Sequence, residues 1–189
     1  KPVIYATFEG GRYQAHTKSG NYAKLSGLIK QSVKFETGQW NYVFEGGCVL
    51  GNVPYTILET PAGSETAGYM RYQFSMLNYM EYAADRYVTM HNELLLNGIV
   101  MNQIPLIKHL NLREMFSFKL FYGTINDYHR NVVDFPLSIQ SMTTPYMELG
   151  AGFSNILRLF TLQAVWRLTD LNHPGVSAFG LRTSVRVSF

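Results

Sequence analysis

Charge is scarce in this sequence. Asp, Glu, Lys and Arg make up 15% of its 189 residues, against about a quarter in typical globular chains. The net charge of +3 comes from basic residues dispersed along the chain, which excludes a clustered nucleic-acid-binding face. Cysteine is scarcer still. Cys48 stands alone, so there is no intrachain disulfide and no spacing for a metal or redox motif. Long hydrophobic runs are missing too. The best stretch, residues 94–101, is broken by Asn97 and Gly98 and falls far short of the ~18 to 20 residues of a membrane-spanning helix. Lys1-Pro2-Val3 leads directly into strand-like sequence with no leader pattern, so the sequence is read as beginning after any export signal.

What is abundant is aromatic side chain, at 14%, in a chain whose average hydropathy is close to neutral. Alternation reconciles the two, and period-two patterning dominates the sequence. Residues 68–82 set Met70, Tyr72, Phe74, Met76, Met80 and Tyr82 against Arg71, Gln73, Ser75 and Glu81. Residues 86–97 set Val88, Met90, Leu94 and Leu96 against Thr89, His91, Glu93 and Asn97. In 112–123, Phe116, Phe118, Leu120 and Tyr122 oppose Arg113, Ser117 and Lys119. In 145–154, Met147, Leu149, Ala151 and Phe153 oppose Glu148, Gly150, Gly152 and Ser154. In 156–168, Phe160, Leu162, Ala164, Trp166 and Leu168 oppose Thr161, Gln163 and Arg167. Residues 2–15, 23–35 and 40–51 repeat the habit more loosely.

A soluble β-sandwich also alternates. Its strands, however, run nearer 5 or 6 residues, whereas these read as roughly 10 to 14, close to the ~9 to 11 that cross a bilayer at a tilt. Trp40, Tyr82, Tyr122, Tyr146 and Trp166 fall towards strand ends, as interfacial aromatic girdles do. The chain closes on Leu181, Thr183, Val185, Val187 and Phe189 sharing one face, with Arg182, Ser184, Arg186 and Ser188 on the other. A last amphipathic strand ending in phenylalanine resembles the signal by which outer-membrane barrels are recognised for insertion. The expected fold is therefore all-β: an antiparallel transmembrane β-barrel segment spanning residues 1–189.

Counting the strand that starts at Phe179, nine strands are predicted. A complete bacterial barrel normally has an even number, so either one strand is misread and the barrel is eight-stranded, or earlier strands are missing; the abrupt start favours missing strands upstream. With the chain end periplasmic, residues 124–144 and 169–178 become extracellular loops. Residues 52–67 and 98–111 then fall on the periplasmic side, where they are unusually long.

Several short segments resemble a known family. They are Gly51-Asn52-Val53-Pro54-Tyr55, Leu77 to Tyr82, Asp85-Arg86-Tyr87-Val88, Asn97-Gly98 through Ile104-Pro105-Leu106, Leu112-Arg113-Glu114, Pro145 to Gly150 and Val165 to Leu168. Together, over roughly residues 40 to 189, they are similar to a Bacteroidota outer-membrane family of unassigned function. In that family a carboxypeptidase-regulatory-like β-sandwich precedes a large barrel. The resemblance implies that this chain is the last part of a longer protein. A more distant likeness is to BamA-like surface-antigen barrels, through Glu93-Leu94-Leu95, Pro105-Leu106 and the terminal Phe. Those barrels carry a long loop with an Arg-Gly pair just before the Glu-bearing strand. Here only Ala83 and Ala84 separate the predicted strands.

No catalytic constellation stands out. His91 and Glu93 share a strand face, but no nucleophile lies at a recognisable spacing. His16, His109, His129 and His173 are isolated, without metal-ligand spacing, so neither a metal nor a cofactor is expected. Arg71, Glu81, His91, Glu93, Arg113, Lys119, Glu148 and Arg167 are read as lumen-facing polar residues, with Arg182 and Arg186 beside them. They either brace the wall as cross-strand ion pairs or line a path for solute. Phe74, Met76, Phe116, Phe118, Leu120, Phe160, Leu162 and Trp166 are read as lipid-facing. The function expected is a non-catalytic outer-membrane protein: a conduit, an assembly or translocation component, or a subunit of an envelope complex. Expected partners are outer-membrane lipids, the barrel-assembly machinery, upstream strands and a periplasmic domain of the same protein. The alternatives are a barrel enzyme acting on lipid or peptide, and a soluble β-sandwich or lectin-like module.

Overall fold

The computed structural model describes residues 1–15, 18–64, 66–105 and 107–185. Eight strands follow one another as β1 (Val3–Ala15), β2 (Lys18–Phe35), β3 (Gly38–Leu50), β4 (Arg86–Leu96), β5 (Arg113–Thr124), β6 (Tyr146–Ile156), β7 (Phe160–Arg167) and β8 (Phe179–Val185). They form one antiparallel sheet in chain order, each paired with the next. Among the described residues β1 and β8 do not pair, and the sheet is not closed. The expected insertion-signal residues Val187 and Phe189, with Arg186, Ser188 and His16, lie outside the described residues. No helix among the described residues is long and apolar enough to cross a membrane.

Alternation sorts the side chains into two unlike faces, as a pleated strand must. The outer face carries Phe8, Leu25, Ile29, Phe44, Phe116, Leu149, Phe160, Leu162, Trp166, Leu181 and Val185, all well exposed. Phe118 and Leu120 sit on that face, as does Thr183, whose partner across the ladder is Leu162. Two polar intruders there are satisfied locally. The Trp40 indole N–H donates to Asn92 Oδ1 at 3.3 Å, and the Tyr42 hydroxyl donates to Gln31 Oε1 at 2.6 Å. The opposite face is covered and carries His91, Glu93, Ser117, Lys119, Glu148, Gln163 and Arg167, all buried. Arg113 shares the parity of that face but is exposed at its mouth.

The segment that covers this face is residues 51–85. It contradicts the strand predicted over 68–82. Instead of pairing along a neighbour, the segment is irregular and turns repeatedly, with Gln73 N–H donating to Met70 O and Glu81 N–H to Asn78 O. Phe74 and Met76, expected to face lipid, are buried at 1% and 6% exposure. Phe74 packs edge-on against Phe121 and Tyr146, in a core completed by Leu77, Tyr82, Ala84 and Tyr87. The apolar positions of 68–82 alternate because the segment needs apolar anchors into the sheet and polar groups between them. They do not mark a two-faced strand. Two isolated bridges in this stretch are strand-like: residues 67–69 meet the free edge of β8 through Tyr69 N–H to Thr183 O and Thr183 N–H to Ala67 O, and Phe74 meets Gly63 through Phe74 N–H to Ala62 O and Ser64 N–H to Phe74 O.

Losing that strand changes the count to eight and moves one connection to the other end of the sheet. The connections 51–85, 125–145 and 168–178 all emerge at one end, and 36–37, 97–112 and 157–159 at the other. Residues 52–67 therefore lie beside the β5–β6 connection, contrary to the expectation that they sit at the opposite end. Ala83 and Ala84 do not join two strands: they end a long inserted connection. The β6–β7 connection also differs from prediction. Leu157 and Arg158 both take left-handed backbone, closing a tight turn with Leu159 N–H on Ile156 O, so β7 starts at Phe160 and not near Ile156.

Glycines on the covered face make room for neighbours. A Cβ on Gly150 would collide with Gln163 Nε2 and Ser117 Oγ, which hydrogen-bond to each other at 2.7 Å. Tyr87 lies over Gly47 and donates to Glu45 at 3.0 Å.

Candidate functional site

The buried charges of the sheet converge on the inserted segment, and each serves its backbone or its side chains. The Glu148 carboxylate, from β6, accepts the N–H groups of Ser75 (2.9 Å) and Met76 (3.0 Å) and the Tyr146 hydroxyl (3.1 Å). Lys119, its cross-strand partner on β5, lies 3.3 Å from it. The Lys119 ammonium donates to the carbonyls of Met70 and Gln73 and lies 3.4 Å from Ser75 Oγ. An irregular chain has no ladder partner for its N–H and C=O groups, and leaving them buried and unpaired would cost about 1 to 3 kcal/mol each. Here a lysine and a glutamate stand in for the missing strand. Arg182 of β8 extends the arrangement by donating to Ser75 O.

On one flank, Glu93 of β4 binds Arg71 at 2.6 Å and the Tyr69 hydroxyl at 2.7 Å. Burial, reinforced by the Glu93 carboxylate, pushes the Tyr69 phenol up, so it remains a donor. Burial would lower the Arg71 guanidinium, but the Glu93 carboxylate more than offsets it and the net shift is upward. On the other flank, Arg167 of β7 clasps Glu81 in a two-pronged pair at 2.6 and 2.9 Å, and His173 adds a contact at 2.9 Å. The two-pronged geometry matches the planar guanidinium to the carboxylate. The Tyr82 hydroxyl donates to Asp170 at 2.6 Å, tying the insert to the 168–178 connection. Asp85 accepts from Asn126 N–H at 3.1 Å, and His129 lies against both Asp85 and Val53. The three long connections are thus interlocked at one end of the sheet.

Burial tends to raise the Glu81 carboxyl, but hydrogen bonds from Arg167 and His173 outweigh it and hold the group below the ordinary carboxylate range. A carboxyl depressed by folding stabilises the docked state above its unfolded pKa, and that stabilisation is lost as pH falls through the lower folded value. Proteolytic protection of residues 51–85 should accordingly persist at pH 7 and 5 and decline below about pH 4. In Glu81→Gln the acid-dependent step should be smaller and protection at pH 7 weaker. Hydrogen exchange of the Asn78 to Tyr82 amides reads both.

The sequence-predicted polar residues come together in part. Arg71–Glu93 and Arg167–Glu81 pair between sheet and insert, and Lys119–Glu148 pairs along the sheet. His91, opposite Lys119 in the β4–β5 ladder, packs on the Phe74 ring at a centroid distance of 4.9 Å, and its Nδ1 has no hydrogen-bond partner among the described residues. Arg113 joins none of these groups; it lines a polar cleft at the opposite end with Arg158 and four asparagines. The sequence reading placed Arg182 among the inward-facing charges but missed Tyr69, Ser75 and Asp85 as parts of the network. Their signal, polar residues inside an aromatic-rich stretch punctuated by Pro54, Pro61 and Gly63, is a loop signal that the alternation concealed.

Ser75 beside Lys119 is the nearest approach to a nucleophile with a base. Ser75 is 2% exposed, and the lysine amine is already surrounded by four oxygens. A base needs a free lone pair and a route for substrate; this pair has neither. Among the described residues no three metal-ligating side chains converge.

The family that matches this chain is the C-terminal domain of a family of unknown function, DUF5686, over residues 1–133. The chain belongs to that family. The DUF5686 match begins at residue 1 and ends within the β5–β6 connection, whereas the resemblance read from the sequence runs from about residue 40 to the end. It takes in β1 to β5 and the whole insert, including Arg71, Glu81, Glu93 and Lys119. Glu148, Arg167 and Arg182, which complete the site, lie beyond it. No curated protein and no solved structure matches the chain.

Proposed function

We propose that this DUF5686 chain is the carboxyl-terminal wall of a Bacteroidota outer-membrane β-barrel, and that it works as a conduit narrowed by its own inserted segment, without catalysing a reaction. The observation that carries this reading is the contrast between the faces. One is a broad exposed apolar surface across all eight strands; the other gathers the buried charges against residues 51–85. Monomeric soluble proteins rarely expose an apolar patch beyond a few hundred Å², and lipid is the solvent that such a surface suits. In the hydrocarbon every backbone polar group needs an internal partner, so the unpaired outer edge of β1 calls for further strands of the same protein. The connections 51–85, 125–145 and 168–178, gathered at one end, face outward, and 36–37, 97–112 and 157–159 face the periplasm. Insertion would proceed through the barrel-assembly machinery, read from the closing strand.

Reconstitution tests this. The full-length protein, refolded into phospholipid vesicles, should resist carbonate extraction and migrate differently with and without heating. A protein that stays soluble without detergent and shows no heat-dependent migration would overturn the membrane reading. If the folded protein inserts but leaves ion flux at background in planar bilayers, the wall stands and the conduit falls.

A further inference from the structure

The inserted segment leaves part of the inner face open. It packs over β3 to β8 and reaches Lys24 of β2 through Glu59, while the inner face of β1 stays exposed at Val3 (42%) and Tyr5 (50%) and that of β2 at Ser32 and Lys34. Between that open face and the tip of the insert lies a cleft of about 640 Å³ lined by Lys30, Ser32 and Lys34 of β2, Gln39 and Asn41 of β3, and Arg71. Lys30 and Lys34 point to the same face, roughly 13 Å apart along the strand. No carboxylate lines the cleft.

Three cations elsewhere on this face are matched by carboxylates. Lys24 meets Glu59 at 2.7 Å, Lys119 meets Glu148 and Arg167 meets Glu81. In the cleft the matching stops. Lys34 has no ion-pair partner among the described residues, and Lys30 rests its amine 5.3 Å from the centre of the Tyr5 ring. Arg71 spends its outer nitrogen on Glu93, but its Nε is buried with no hydrogen-bond partner. The two ammonium groups, in a cleft lined by no carboxylate among the described residues, create a local positive potential. Gln39 Nε2 donates to Ser32 Oγ at 2.8 Å and to Asn41 Oδ1 at 2.6 Å, and Asn41 Nδ2 donates to Glu93 Oε1 at 3.2 Å, which leaves the Ser32 hydroxyl proton to orient an oxyanion. Glu9, the acidic group of β1 on the same face, lies near the other end of the strand and is held by the Tyr22 hydroxyl at 2.7 Å.

We infer that this cleft is a binding site for small solutes bearing phosphate or carboxylate oxyanions, beside the part of the inner face that the insert leaves open. The inference deepens the conduit reading, since it assumes that this face lines the lumen, and it assigns the substrate class. Bidentate and charge-assisted hydrogen bonds from arginine and lysine are the interactions such groups select.

The test uses inorganic pyrophosphate as probe, titrated calorimetrically at low ionic strength into the folded full-length protein in detergent micelles. Wild type should bind it, and Lys30→Gln/Lys34→Gln should weaken binding at least tenfold, while Lys108→Gln, in the β4–β5 connection, should leave it unchanged. Ser32→Glu, which places a carboxylate between the two lysines, should weaken binding similarly and serves if the double variant does not fold. Absence of pyrophosphate heat in wild type, or equal affinity in the lysine and serine variants, overturns the site. Ion flux in planar bilayers is read separately, so loss of the conduit and loss of the anion site are distinguishable: a folded protein that binds pyrophosphate without conducting retains the site, and one that conducts without binding it does not.

Discussion

Glu148→Ala is expected to detach the inserted segment from the sheet and to cost about 3 to 5 kcal/mol, the range for removing one partner of a buried ion pair. Glu148 is 2% exposed and serves four donors: two backbone N–H groups of the insert, the Tyr146 hydroxyl and Lys119. Without it the Ser75 and Met76 amides lose their acceptor. The Lys119 charge, 1% exposed, keeps only its carbonyl and hydroxyl partners. The consequence reaches beyond stability, because the insert closes the covered face, and a loosened insert exposes the charges beneath. Residues 51–85 should become the first site of proteolytic cleavage while the sheet survives. Denaturant unfolding in micelles measures the cost. Lys119→Met/Glu148→Leu should recover part of it, since an apolar pair removes the stranded charge but does not replace the acceptor for the insert amides.

Leu120→Lys is expected to cost about 2 to 4 kcal/mol in a bilayer if residue 120 lies near mid-depth. Leu120 pairs with Met90 on one side and Met147 on the other, so the new ammonium would have only apolar neighbours in the ladder and lipid beyond. On a water-facing sheet the same change would stay within about 0.5 kcal/mol, the ordinary range for a surface substitution. Folding free energies measured in vesicles and in lipid-free micelles separate the two cases. Ser117→Lys, on the covered face, makes the contrast: Ser117 is buried against Gln163, so its cost should be similar in both media.

How much of this was legible in the sequence depended on whether one period could carry two meanings. β4 to β8 were readable because their faces differ in chemistry, although β7 was begun four residues early; Phe116, Phe118, Leu120 and Tyr122 against Ser117 and Lys119 admit one pleat and one orientation. β2 was read five residues short, because Ser19, Gly20, Asn21 and Tyr22 give no apolar beat, yet they pair regularly with β1. Residues 68–82 misled for the opposite reason. Phe74 and Met76 recur at the right spacing, but a strand is defined by what its backbone bonds to, and this backbone has scattered partners: Phe74 bonds to Ala62 and Ser64 within the insert, Ser75 and Met76 to the Glu148 side chain. Glu148, Lys119 and Arg182 were visible as inward-facing charges, while their task of replacing a ladder was not. The misread strand also hid the long connection before Glu93. Glu93 in fact meets an arginine from a long connection, Arg71, although Tyr72 and not glycine follows it.

The account stands on lipid meeting the outer face of these strands, and a spin-label scan of Arg113–Thr124 in vesicles measures that contact most directly. Cys48 is first replaced by alanine, and single cysteines are then labelled at 116 to 120. Labels at 116, 118 and 120 should relax readily with dissolved oxygen and little with a water-soluble nickel chelate; those at 117 and 119 should respond weakly to both. Preferential relaxation of 116, 118 and 120 by the nickel chelate would place water against that face and contradict the account.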